Sequence, residues 1–239
     1  MQLDFSAREV TVKLVYYGPA LSGKTSNLVA LHELAGADTR GRLMTLETQD
    51  DRTLFFDLLP LTFRAREGDV SLRIKLFTVP GQPIHSATRR LVLQGADGVA
   101  LVADSQLSQT QNNADAFFDL RENLRTNGLE LAKMPLVIQF NKRDLKDVRS
   151  EAELVQLADR GKEPVYLAVA TKGVGVIETF MGLLSLTWDR LDADHQLAKK
   201  LSIDGDTLLT NAAQKLGVTT PIGELLARRV GGAKPRSVR

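Results

Sequence analysis

Residues 18–25 read GPALSGKT, and two glycines, a lysine and a threonine at that spacing suit the cradling of a polyphosphate. Gly18 and Gly23 let the backbone wrap closely. The N–H groups of Ala20, Leu21, Ser22 and Gly23 are then free to face phosphate oxygens at the start of a helix. Lys24 supplies positive charge to the β- and γ-phosphates, and Thr25 offers a hydroxyl to magnesium. NKRD, residues 141–144, follows the apolar run LVIQF and so falls at the carboxyl edge of a buried strand, on the rim where open α/β sheets bind ligands. A carboxylate at Asp144 accepts from the N1–H and N2–H₂ of guanine, groups that adenine lacks. ATP is thereby disfavoured, because it would leave that acceptor unpaired. Lys142 is expected across the purine face, and Asn141 is expected to tie this loop to the phosphate loop. ATKG at 170–173 adds Thr171, whose backbone N–H reaches the guanine oxygen, and Lys172 beside it.

TVPGQ, residues 78–82, departs from the D-x-x-G-Q pattern usual in such nucleotide sites. Gly81 joins the phosphate-binding set there, but the acid that helps hold magnesium is replaced by Thr78. A threonine hydroxyl accepts from a metal-bound water without contributing a full negative charge. Magnesium is therefore expected to rely on the nucleotide phosphates and Thr25, and to bind more weakly.

The segments GPALSGKT, DRTLFFD, TVPGQ, NKRD and ATKG occur in the order and spacing of Ras-like small GTPases. The fuller set YYGPALSGKT, DRTLFFDLLP, TVPGQ and NKRDL resembles the MglA-type bacterial members of that group, over roughly residues 8–194. The resemblance implies a Ras-like P-loop NTPase domain that switches between GTP and GDP by hydrolysing GTP with Mg2+. It makes Gln82 the residue that orients the attacking water, and Arg52 an arginine supplied in cis to the γ-phosphate. It places Thr53 beside Thr25 on the metal, and it makes threonine the normal residue at position 78. It also implies a Roadblock/LC7-type GTPase-activating partner (MglB-like), polarity or motility effectors, and recruitment to cell poles or the membrane surface. Ala20 departs from the glycine common at its position. Its methyl points toward the space that the γ-phosphate and Gln82 share, which slows hydrolysis or demands a partner to seat the switches. The opposing expectation is a GTP-binding scaffold that hydrolyses negligibly and acts through its C-terminal extension.

The elements that must position these groups alternate as strand and helix, the pattern of a mostly parallel six-stranded sheet with helices on both faces. Strands are expected near 10–17, 54–63, 70–79, 98–104, 136–141 and 165–170; helices near 23–35, 87–94, 111–127, 151–160 and 176–194. SLRIKLF alternates Leu72, Ile74 and Leu76 with Arg73 and Lys75, as a strand with one wet face does. GVALVADS and PLVIQFN are apolar throughout, as strands covered on both faces are. Only the short charged loop RAREGD separates the second and third strands, so they form an antiparallel hairpin. After about residue 195 the rhythm changes, and two short helices broken by Gly217 and Pro221 are expected before a basic tail. The expected division is a GTPase domain at 1–194 and an extension at 195–239.

Composition narrows the field further. The 43% hydrophobic content suits a globular chain, and with no cysteine there is neither a disulfide nor a thiolate metal site. No apolar run is long enough for a membrane span and no secretory signal is visible, so the expected home is the cytoplasm. Net charge is +2, yet the last twelve residues, RRVGGAKPRSVR, carry five basic groups and no acid; a solvated tail is the plain reading. His32, His85 and His195 are scattered and make no metal cluster, Trp188 is expected to anchor packing, and no nucleic-acid motif is present.

Overall fold

A computed structural model describes residues 1–46, 56–64, 70–81 and 86–231. Its strands are β1 (Gln2–Asp4), β2 (Glu9–Tyr17), β3 (Met44–Leu46), β4 (Phe56–Phe63), β5 (Ser71–Thr78), β6 (Gly98–Asp104), β7 (Leu136–Asn141) and β8 (Val165–Leu167). Its α-helices are α1 (Lys24–Leu34), α2 (Ser86–Leu93), α3 (Thr110–Thr126), α4 (Glu151–Arg160), α5 (Val176–His195), α6 (Leu197–Leu201), α7 (Gly205–Lys215) and α8 (Ile222–Ala227).

The sheet runs β3-β4-β5-β2-β6-β7-β8, with β1 laid against the start of β2. From β5 to β8 every neighbour is parallel, whereas β4 pairs antiparallel with β5 as the short loop requires. All six anticipated strands are present. β1 and β3 raise the total to eight; each has only three residues, too few to show a period in the sequence. Both pair antiparallel, with β2 and β4 respectively.

Alternation along each strand decides which face a side chain serves. On β2, Val10, Val12, Leu14 and Tyr16 enter the apolar cluster under α1 and α5, while Val15 and Tyr17 enter the one under α2 and α3. β6 divides in the same way, with Ala100 and Val102 on one side and Val99 and Leu101 on the other. On β5, Leu72, Ile74 and Leu76 are buried and Arg73 and Lys75 exposed, matching the pattern read from SLRIKLF. A complete capping box, Ser150 with Glu153, starts α4. Gly175 starts α5 in the left-handed region (φ 72°), where a Cβ would stand 1.9 Å from the Leu167 carbonyl oxygen. Only glycine fits there.

The segment after His195 forms three helices where the sequence suggests two; the five-residue α6 is the addition. Gly217 and Pro221 do fall between α7 and α8. Leu197, Leu201, Leu208, Leu209, Ala212 and Leu216 join Trp188 and Leu191 of α5 in the same apolar cluster that lies under the sheet. The chain then returns to the sheet margin: Val230 N–H donates to the Val165 carbonyl at 2.8 Å, an antiparallel bridge to β8.

Candidate functional site

The phosphate loop leaves β2 at Tyr17 and enters α1 at Lys24. Gly23 precedes α1 in the left-handed region (φ 98°), no side chain caps the helix, and its first turn carries no acid. The first N–H groups of α1 are thus open to an anion. Gly18 is required by space: a Cβ would lie 2.2 Å from the Val102 carbonyl oxygen. Leu21 takes a positive φ (61°) and points outward, whereas Ser22 is fully buried. Lys24 is buried, with Nζ donating to the carbonyls of Gly18 at 3.0 Å and Pro19 at 2.6 Å. Burial pushes its pKa down to about 8; the positive charge of Arg89 adds to that shift, and Asp57 opposes it. Gly81 lies close against this loop, so that a Cβ on it would stand 2.3 Å from the Cα of Ala20. A cleft of about 530 Å³ opens between Lys24, Thr25, Thr45, Asp57, Thr78 and Gly81, within the usual size of small-molecule sites.

Asn141 connects three loops. Its Nδ2 donates to the Ser22 carbonyl at 2.8 Å, and its Oδ1 accepts from Ala170 N–H at 2.9 Å. Nδ2 also lies where a Cβ on Gly23 would be, 2.1 Å away, so the glycine permits the approach. Lys142, at positive φ (64°), donates from Nζ to Asp104 Oδ2 at 2.6 Å. Asp144 is exposed and paired with Lys172 at 3.1 Å; that hydrogen bond holds its carboxyl below the usual range. An ionised carboxylate is purely an acceptor, as guanine demands. Thr171 stands beside Lys172 in the single 3₁₀ turn Ala170–Lys172. Arg52, Thr53 and Gln82 lie outside the described residues.

Two groups near the cleft were not anticipated. Asp57, on β4, accepts from Thr25 Oγ1 at 2.6 Å, Thr78 Oγ1 at 3.0 Å and Thr45 Oγ1 at 2.9 Å. The signal lay in strand phase: Asp57 shares the buried face of FDLLPLTF with Leu59, Leu61 and Phe63. The second is a polar set under α2 and α3. Tyr17 donates to Asp119, Asn123 Nδ2 donates to the Tyr17 oxygen at 3.0 Å, and Arg89 pairs with Asp119 at 3.0 Å. Burial and the Asp119 carboxylate raise the Tyr17 pKa, keeping the phenol protonated. Its members are scattered through the sequence, and no local spacing marks them.

The GPALSGKT, NKRD and ATKG loops, tied together by Asn141 on one rim of this sheet, have the arrangement of a Ras-like G domain. No family model matches the chain. It is 43% identical over 189 residues to the mutual gliding-motility protein MglA of Myxococcus xanthus (strain DK1622), an alignment spanning 79% of this chain and 96% of that protein. The chain therefore belongs to the MglA-type family of small GTPases. It binds guanine nucleotides and is an enzyme of GTP hydrolysis. Among the described residues no helix is long and apolar enough to cross a membrane.

Proposed function

We propose that this GTPase acts as a magnesium-dependent switch in directional motility or cell polarity, and that GTP changes which proteins it binds. The observation that carries the nucleotide assignment is the Asn141 tie, which joins the phosphate loop, the NKRD loop and the ATKG loop into one rim. The motility assignment rests on the kinship with a protein named for gliding motility.

The uncapped start of α1, with Lys24 and the backbone of residues 18–23, binds the phosphates. Asp144 selects guanine, Lys142 and Thr171 flank the base, and Lys172 keeps Asp144 ionised. Hydroxyl and carboxylate oxygens at Thr25, Thr78 and Asp57, the last two buried, suit a hard divalent cation, and Thr25 with Thr53 are the ligands assigned to it. Bound magnesium neutralises charge on the β- and γ-phosphates. Gln82 orients the attacking water, and Arg52 stabilises charge on the γ-phosphoryl group as its bond to GDP breaks. The regulator we assign is a Roadblock/LC7-type activator of the MglB kind. Polarity or motility effectors are the readers, and they recruit the protein from the cytoplasm to cell poles or the membrane surface.

A second reading, a scaffold that binds GTP and scarcely hydrolyses it, is favoured by the close seat of Gly81 on Ala20. Phosphate release from GTP with magnesium titrated, alone and with a Roadblock-type partner, separates the two. Slow release that the partner accelerates supports the switch; tight GTP binding with no release under either condition supports the scaffold.

A further inference from the structure

Tyr17 is the last residue of β2 and stands directly before Gly18 of the phosphate loop. Its phenol donates to Asp119 Oδ2 on α3, and Asn123 Nδ2, one turn further along α3, donates to each of those two oxygens at 3.0 Å. From the other side comes Arg89, in the first turn of α2. Its guanidinium meets both carboxylate oxygens of Asp119: Nε stands 3.0 Å from Oδ2, and Nη2 donates to Oδ1 at 3.4 Å. One carboxylate thus ties the strand that enters the phosphate loop to the helix that follows TVPGQ. We infer that Asp119 is a positioning residue for GTP hydrolysis: through Arg89 it sets where α2 begins, and so where Gln82, between Gly81 and α2, stands relative to the phosphate loop. The inference rests on the assignment of Gln82 to the attacking water.

Three features favour this over a purely structural tie. First, the two sides of Gln82 are referenced to the same stretch of chain. Upstream, Val79 N–H donates to the Tyr16 carbonyl at 3.2 Å and Gly81 is seated on Ala20; downstream, Arg89 reaches Tyr17 through Asp119. Second, the polar set serves the end of α2 that apolar packing does not. Val92 and Leu93, in its last turn, share one apolar cluster with Leu120 and Leu124 of α3 and with Tyr17. Such contacts stabilise in proportion to area and tolerate sliding, whereas a guanidinium met by both oxygens of one carboxylate accepts one orientation. Third, Tyr17 and Arg89 are buried. A buried ion pair adds little stability over apolar side chains of the same volume, so its contribution here is a fixed geometry. That geometry lies near the chemistry, since the charge of Arg89 is close enough to help lower the Lys24 pKa.

The test follows single-turnover hydrolysis of bound GTP, together with release of a fluorescent GDP analogue, in the wild type, Asp119→Asn, Gln82→Ala and the double variant. Asp119→Asn keeps the shape and loses the ion pair. It is expected to slow hydrolysis about 10- to 100-fold, the loss that a small misplacement far from the chemistry can cause. GDP release should stay at the wild-type rate, because Lys24, Asn141 and Asp144 are untouched. Gln82→Ala should slow hydrolysis as well, and adding Asp119→Asn to it should slow it no further, since one residue acts through the other. Losses that multiply in the double variant would overturn the inference, as would an Asp119→Asn chain that hydrolyses like the wild type. GDP release accelerated in step with the loss of hydrolysis would also overturn it, showing a loosened phosphate loop instead. A Gln82→Ala chain as fast as the wild type would overturn the assignment of Gln82 itself, and the inference with it. Should Asp119→Asn fold poorly, Tyr17→Phe, which keeps the ring and removes only the donor, decides by the same comparison. Slower hydrolysis that vanishes as an effect in the Gln82→Ala background supports the inference, and unchanged hydrolysis overturns it.

Discussion

The nucleotide rim and the C-terminal helices are buried to similar depth but built from opposite materials. At the rim the enclosed side chains are polar: Ser22, Lys24, Asn27, Asp57, Thr78, Gln139 and Asn141. Most are satisfied by one another or by backbone, as in the reciprocal pair of Asn27 and Gln139, with Gln139 also donating to Thr179 at 2.8 Å. Beyond His195 the enclosed side chains are leucine and alanine, laid against Trp188 and Leu191. Hydrogen bonds exchanged with water contribute little net stability but demand one geometry, whereas apolar burial stabilises in proportion to area and specifies less. On the proposed reading the rim encodes selectivity, and the C-terminal helices encode stability.

The sharpest way to break that contrast is at Asp144. Asp144→Asn exchanges an acceptor for a donor, and preference should move from guanine toward xanthine nucleotides by about 10⁴-fold. Competition against labelled GTP measures it; the urea midpoint should hardly move, because the side chain is exposed. The reciprocal change is Leu208→Ala on α7, a side chain 4% exposed. It should cost about 3 kcal/mol of unfolding free energy in urea titration while leaving guanine selectivity intact. A loss of selectivity there would dissolve the division between the two regions.

A subtler effect follows from Lys24, whose pKa of about 8 lies below the ordinary lysine value of 10.5. Below pH 8 the lysine is charged in both folded and unfolded chains, and the full cost of burying it is present. Between about pH 8 and 10.5 the unfolded chain binds more protons, so this group makes the nucleotide-free protein more stable as pH rises. Bound phosphate favours the ammonium form. Nucleotide binding near pH 9 should therefore take up protons, read from calorimetry in two buffers of different ionisation enthalpy. The smallest effect belongs to Lys215→Ala. Its ion pair with Asp38, the residue after α1's exit turn, is exposed and joins the two regions at their surface. Its loss should leave both the urea midpoint and nucleotide affinity unmoved.

Much of the rim was legible because its chemistry is local. GPALSGKT and NKRD each lie in one short segment, and their backbone context, strand then turn, was readable from apolar runs nearby. Asp57 escaped because its meaning depends on a partner across a strand pair: a lone acid in FDLLPLTF is unremarkable until Thr78 is set opposite it. The link between Tyr17 and Asp119 spans 102 positions and leaves no periodic trace. β1, β3 and α6 were hidden by brevity, since three to five residues show no period. Expectations at Arg52, Thr53 and Gln82 rest on the motif alone.

The sheet's margins have a consequence for how copies of this protein meet one another. An open β-edge is a row of unpaired N–H and C=O groups that another chain's strand is able to join. Here both terminal strands of the order, β3 and β8, have three residues, and β8 is further occupied by the bridge from Val230. Among the described residues, too little ladder is left to template a foreign strand. Where many copies gather in a small volume, contact between them should pass without seeding aggregation.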